Sequence, residues 1–295
     1  MASLKEVRIR ITSVGSTQQI TKAMKMVSAA KLRRAQDAIV KMRPYASKLK
    51  EILENLSGSL DSNDAGPYSK VRPVNKVLII AITSNRGLCG GFNANIIRAA
   101  NKLITADYAG QAKSKNLKVL AIGKKASDFY AKNPTIYSGN HNTLFANLTF
   151  ESVSEIANTI MKEFVDGAYD KVELIYNQFK NAAVQVVVTE QLLPIQPAAL
   201  AVGKKAEKPV DYILEPSQIE IVEQLIPLSI KTQLFKALLD SHASEHGARM
   251  TAMNKATDNA AELLKQLKLS YNKARQAAIT NEILEIVGGA EALKG

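Results

Sequence analysis

The sequence predicts an α/β protein: a long antiparallel coiled coil of N- and C-terminal helices carrying an inserted Rossmann-like α/β domain. Apolar residues recur every three or four positions through both ends of the chain, with almost no helix breakers. The middle alternates short β-branched runs with helical patterns. The 295 residues are 46% hydrophobic but only 5% aromatic, with no Trp, the bias of a largely helical chain.

The elements follow in order. Ser3 and Glu6 have the spacing of a capping box, which starts a helix. Leu4, Val7, Ile11, Val14, Ile20, Met24, Val27, Leu32, Ile39, Met42, Leu49, Ile52 and Leu56 then form one stripe, so residues 1–57 read as a shaft helix on the order of 80 Å long. Its only breakers are Gly15 and Pro44, and Pro44 is expected to kink or divide it, because it removes a donor and crowds the preceding turn. Ser57 to Lys70 is a polar linker.

The inserted domain is expected over 75–195. Val77 to Thr83 is a continuous apolar strand, followed by the Gly-rich loop Ser84 to Phe92 and a helix from Asn93 to about Thr105. Leu117 to Ile122, Val172 to Tyr176 and Val184 to Thr189 read as strands, and Lys124 to Tyr130 and Ser152 to Val165 as helices. Such alternation predicts a mostly parallel sheet covered by helices, and the short Asn177 to Ala183 turn would let the last strand run antiparallel. Ala198 to Asp211 is a second linker. Ser217 and Glu220 open a short helix, 217–226, which Pro227 ends by starting the next, 227–290. That last helix carries the stripe Leu234, Leu238, Met253, Ala256, Ala260, Leu263, Leu267, Ala274, Ala278, Ile283 and Ile286. Two such helices are most simply buried against each other.

Charge narrows the partners. The net charge is +12, and residues 1–56 hold +8 of it, from twelve Lys and Arg against four acids. An anionic partner fits, whether acidic protein, nucleic acid or membrane surface. No aromatic residue interleaves with these charges before Tyr45, and no DNA- or RNA-binding module follows, which weakens the nucleic-acid reading. Cys89 is the only cysteine, so no intramolecular disulfide is available. No run approaches the ~18 apolar residues that span a bilayer, and Met-Ala-Ser-Leu-Lys-Glu has no signal-peptide core.

Three motifs could carry chemistry. His242-Ala-Ser-Glu-His246 has the H-x-x-E-H spacing, but it lacks a third ligand and a cleft, and it reads instead as a solvated helical face. Gly87-Leu-Cys-Gly-Gly91 follows a strand and precedes a helix, yet matches neither G-x-x-x-x-G-K-[ST] nor G-x-G-x-x-G. It reads as a tight turn. Cys89 has no base near it in sequence and reads as a small packed residue. Two rival classes remain: a nucleotide-using α/β enzyme, discriminated by nucleotide binding to the isolated chain, and a nucleic-acid binder, discriminated by strong, steeply salt-dependent DNA binding.

The segments Ile20-TKAMKMVSAAKLRRAQ-Asp37, Thr83-SNRGLCGGFN-Ala94, His242-ASEHGARMTAMNKATDNA-Ala261 and Tyr271-NKARQAAITNEILEIVGG-Ala290 closely resemble the γ subunits of F-type ATP synthases, and the likeness spans essentially the whole chain. The resemblance implies a non-catalytic rotor: a shaft inside a hexamer of α and β subunits, with the α/β domain outside it, near a membrane ring of c subunits. It implies no cofactor of the chain's own, nucleotide and Mg belonging to partner subunits. It further implies that Lys22, Met24 and Lys25, together with Arg249, Arg275, Gln276, Thr280 and Glu282, meet β. Tyr212 and Glu215 would form a foot on the c ring and the ε subunit. Acidic β segments would account for the +8 on the first helix. The implied location is peripheral, at the cytoplasmic face of a bacterial plasma membrane, although a mature organellar chain would read the same. Asn85 departs from the Asp that the family commonly carries in the strand-loop motif.

Overall fold

The structure is a computed structural model that describes residues 4–57, 67–195 and 218–292. The expected capping residues Ser3 and Ser217, the second linker and the foot residues Tyr212 and Glu215 lie outside the described residues. Two compact units divide the chain: Met1–Ser28 with Arg249–Gly295, and Ala29–Ala248. Two long helices, α1 (Leu4–Ser57) and α6 (Gln218–Ala292), contribute to both.

In the larger unit, β1 (Val77–Ile82), β2 (Leu117–Ile122), β3 (Tyr137–Asn140), β4 (Lys171–Phe179) and β5 (Gln185–Leu193) form one sheet in the order β3-β2-β1-β4-β5. All pairings are parallel except β4 with β5, which is antiparallel. Every residue of β1 is buried because both faces of the sheet are covered, which explains why its sequence is continuously apolar rather than alternating. Val77, Ile79 and Ala81 face one cluster with Ile96 and Ala100 of α2 (Phe92–Ala106). A short helix, α3 (Ala109–Lys113), follows α2, and α4 (Lys124–Tyr130) adds Ala126 and Tyr130 to the same cluster. Leu78, Ile80 and Ile82 face the other cluster, with Val153, Ala157, Ile160 and Phe164 of α5 (Phe150–Val165). Thr149 caps α5 by accepting from the Ser152 amide.

The long helices contribute to the core, and one expected boundary is corrected. The first cluster is formed within the α/β region alone, whereas Ile226, Ile230, Leu234, Ala237 and Leu238 of α6 complete the second. The division at Pro227 is absent, because α6 runs through it. Proline in a helix interior costs about 3 kcal/mol, whereas each fully buried Ile or Leu beside it contributes roughly 1.5–3 kcal/mol. Ile226 and Ile230 flank the proline, and the packing of that face outweighs the lost hydrogen bond. α1 likewise continues through Pro44 without division. Finally, β3 has no signature in the sequence, since Tyr-Ser-Gly-Asn at an edge needs only one apolar face.

The loop after β1 is a tight turn with its own polar network. Gly90 has φ +59° and Leu88 φ +63°, while Cys89 is buried. Asn93 accepts from the Ser84 amide and donates through Nδ2 to Ser84 Oγ and Cys89 Sγ. Asn85 donates through Nδ2 to the Asn142 carbonyl at 2.7 Å and accepts from the Lys124 amide at 2.9 Å, so it ties three loops together. An ionised Asp could keep only the second of these bonds.

The His242–His246 segment is not the solvated face expected of it. His246 and Glu245 are buried, His242 stacks on Phe145, and the two imidazole Nε2 atoms are 3.1 Å apart. Among the described residues no group of three metal-ligating side chains assembles. Close by, Asp240 is fully buried and pairs with Arg43 of α1 at 3.1 Å. Burial raises the Asp240 carboxyl above its ordinary 3.8, and the hydrogen bond and charge of Arg43 oppose that shift.

Two predictions follow from this packing. A Cβ on Gly123, where φ is +106°, would lie 2.1 Å from the Thr83 carbonyl oxygen. Gly123→Ala is therefore expected to destabilise by more than about 2 kcal/mol in denaturant unfolding. Because the folded Asp240 carboxyl titrates above 3.8, its favourable contribution is complete below that pH and is lost as pH rises through the raised value. The stability of the wild type relative to Asp240→Asn should accordingly fall as pH rises above 3.8 and through the raised value; a pH-independent difference would contradict this.

Candidate partner-binding surface

The smaller unit pairs the first part of α1 with the last part of α6. Less-exposed residues of α1 include Leu4, Val7, Ile11, Val14, Gln18, Thr21, Lys25 and Ser28, which alternate at spacings of three and four, with Gly15 and Met24 half-buried beside them. On α6 the corresponding set is Met253, Thr257, Ala260, Leu264, Leu267, Tyr271, Ala274 and Ala278. Both are coiled-coil seams with a seven-residue period. The seam is not the stripe expected from the sequence. Between Gln18 and Ser28 it is polar, and the apolar residues assigned to it lie outward: Ile20 is 60% exposed and Val27 57%. Leu263 is exposed as well, its place taken by Leu264.

The polar stretch of the seam is hydrogen-bonded across the pair. Thr257 Oγ1 donates to Thr21 Oγ1 at 2.8 Å, and Lys25 Nζ donates to Asn254 Oδ1. Thr257 Oγ1 also lies 2.7 Å from Met253 O and Thr21 Oγ1 3.0 Å from Gln18 O, so the two hydroxyl protons are shared among three contacts. These contacts set an antiparallel register, Thr21 against Thr257 and Lys25 against Asn254. Continued toward the start of α1, that register brings Leu4 level with Ala274 and Arg275. Residues past Ala278 have no counterpart on α1 among the described residues, and they are uniformly exposed.

That exposed stretch is strongly apolar. Ile279, Ile283, Leu284, Ile286 and Val287 are all between 46% and 71% exposed. The stripe expected to bury Ile283 and Ile286 thus ends at Ala278. Arg275, Ile279, Glu282 and Ile286 follow one another at spacings of four, three and four and share a face; Gln276, Thr280, Ile283 and Val287 form the next. Thr280 Oγ1 bonds Gln276 O, which leaves its methyl group as part of that surface.

The residues expected to meet a partner are therefore distributed unevenly. Lys22, Arg275, Gln276, Thr280 and Glu282 are exposed. Met24 is half-buried at the margin of the outward apolar face made by Ile20 and Val27. Lys25 is turned into the seam, and Arg249 is buried with contacts of its own. Ile20, Met26 and Val27, together with the apolar residues from Ile279 on, are the additions that the structure makes. Strict seven-residue counting from Leu4 and Val7 would have found the first group.

A family model described as ATP synthase matches residues 3–293. The ATP synthase gamma chain of Flavobacterium johnsoniae is 62% identical over 295 residues, covering all of both chains. Among solved structures, a chain of the Tetrahymena thermophila mitochondrial ATP synthase central stalk and c-ring is similar with a TM-score of 0.59 and 27% identity, over 80% of this chain and 99% of that one. A chain of the Euglena gracilis mitochondrial ATP synthase assembly of OSCP, F1 and c-ring shares the fold with a TM-score of 0.71 and 23% identity, over 98% and 94% of the two chains.

Replacing Lys25 and Asn254 together by Leu converts the polar seam to an apolar one. The variant is expected to melt several degrees higher, at about 1 kcal/mol or more of added stability, while losing its single register. Spin-label distances between the exposed faces of α1 and α6 should broaden or split; an unchanged single distance would contradict the register argument.

Proposed function

This chain belongs to the ATP synthase family, with the gamma chains, and we propose that it is the central rotor subunit, coupling ion flow through a membrane c ring to nucleotide chemistry in a hexamer of α and β subunits. It performs no catalysis of its own and holds no cofactor; nucleotide and Mg are bound by the partner subunits. The complex is membrane-associated, whereas no described helix of this chain is long and apolar enough to cross a membrane. In this reading attachment is peripheral and indirect, through the c ring and ε, with Tyr212 and Glu215 as contacts, at the cytoplasmic face of a bacterial plasma membrane.

One observation carries the mechanism: over residues 18–28 the helix pair turns polar groups inward and apolar groups outward. A helix that bonds to its partner through Thr21 and Lys25 while leaving Ile20, Met26 and Val27 in water presents an unpaired apolar surface. The exposed residues from Ile279 to Val287 present a second. Apolar contact is non-directional, so such surfaces can slide against a ring of partners without a bond to break at each angle. Lys22, Arg275 and Glu282 add charge at the margin of these surfaces, and Gln276 and Thr280 add polar groups. Coulombic preference at a few angles then favours one conformation of each β over another. Met24, Lys25 and Arg249 act with them, the last two through the helices they hold in place. Rotation of an asymmetric shaft is in these terms a population shift, limited by the differential contact energy between β states.

Reconstitution with partner α, β and ε subunits tests the proposal. ATP hydrolysis by the hexamer should require this chain, and Lys22→Glu, a change at an exposed position, should lower ion transport per ATP by about twofold or more without altering the melting temperature. Hydrolysis independent of the chain, or specific ATP binding by the isolated chain, would overturn the proposal.

A further inference from the structure

The β4–β5 hairpin is fastened to the two long helices by side chains that bond its backbone. Gln233 Nε2 of α6 donates to Gln191 O at 3.1 Å, and Ser244 Oγ of α6 donates to Asn177 O at 3.0 Å. Arg43 of α1 donates through Nη2 to Phe179 O at 2.9 Å and to Asp240 Oδ1 of α6 at 3.1 Å, so three segments of the chain meet at one guanidinium. Gly247 lets the hairpin turn approach: a Cβ there would lie 3.1 Å from the Ala182 carbonyl oxygen and 3.3 Å from its Cα. Glycine in a helix interior costs about 1 kcal/mol relative to alanine, which this close approach accounts for.

These fastenings differ in kind from the apolar packing around Leu234 and Leu238. Apolar packing resists separation of two surfaces but has no preferred direction within the plane of contact. Hydrogen bonds weaken steeply once misaligned, so bonds to a sheet backbone, whose position is fixed by the ladder, resist sliding and twisting. Asp240 is fully buried, and its second oxygen has no hydrogen-bond partner, which makes Arg43 its only charged neighbour within ion-pair distance among the described residues. Removing Arg43 would take away that ion pair and leave the buried carboxyl chiefly the charge of Lys236, beyond ion-pair distance.

Resting on the rotor reading, we propose that the β4–β5 hairpin is the shear-bearing joint through which torque passes between the α/β domain and the two long helices, with Arg43 as the positioning residue that closes it. The last, antiparallel strand thereby has a mechanical role: it presents a second row of backbone acceptors to α6. Arg43 contributes to no partner contact in this scheme and acts only by holding Phe179 and Asp240 together.

The test uses the complete complex in sealed vesicles, with wild type, Arg43→Ala and Arg43→Lys compared for ATP hydrolysis and ATP-driven ion transport. In Arg43→Ala, hydrolysis should stay within about twofold of wild type while transport per ATP falls about threefold or more, and Arg43→Lys should recover at least part of that loss by restoring the charge beside Asp240. Hydrogen exchange on the full chain should show amides of 177–181 and 41–47 opening about tenfold more often in Arg43→Ala, with β1 and β2 unchanged. Unchanged transport per ATP in Arg43→Ala, or loss of protection throughout the sheet in both variants, would overturn the joint. Failure of the wild-type chain to support hydrolysis at all would instead overturn the rotor reading.

Discussion

Everything in this chain depends on how two long helices dispose of one stripe each. An apolar stripe left in water costs roughly 1.5–3 kcal/mol per Leu or Ile, so each helix must find a surface along its length. The larger unit supplies one in the sheet: α6 places Ile230, Leu234 and Leu238 into the cluster that β1, β4 and α5 build. The smaller unit offers no sheet, and there the helices bury against each other along seams of seven-residue period. At Gln18 to Ser28 the seam is built from polar residues, and apolar side chains are released to the outside. Stability is given up locally in exchange for a defined register and an available surface, the trade that buried polar groups in coiled coils make.

Much of this was legible from the sequence. The apolar run of β1, the strand at Leu117–Ile122 and the helix at Lys124–Tyr130 were found within a residue, because both-face burial and clear turn residues mark them. The two long helices were found from the scarcity of breakers. What failed was the facing of side chains. Ile20, Met24 and Val27 look like stripe residues because they are apolar at three- and four-residue spacing, yet the seam runs through Gln18, Thr21 and Lys25. Periodicity identifies an apolar face but does not say whether the folded chain or a partner covers it. Ile20 and Val27 are exposed, so the folded chain does not cover that face.

The errors at Pro227 and His242–His246 share one cause. Local signals there are read against a helix in solvent, whereas α6 from Ile226 to Gly247 is enclosed by the sheet and α1. Enclosure supplies the packing that carries the helix through a proline. It also converts a polar segment from a solvated face into a network in which Asp240, Ser244 and His246 are buried and Gly247 is needed for backbone approach. Asn85 shows the same point at smaller scale. Its two bonds, to a carbonyl and to an amide, come from loops nearly 40 and 60 residues away, and no local pattern announces them.

The mechanical role is tested most directly by watching the chain turn. With Cys89 replaced by Ala and a cysteine placed at the exposed Lys132, a probe attached to the α/β domain can be followed while the partner hexamer is held on a surface. Under ATP the probe should rotate in one direction, in steps set by the threefold arrangement of the β subunits, and should stop when ATP is withdrawn. Sustained ATP hydrolysis with the probe stationary, or with only undirected wobble, would contradict the rotor.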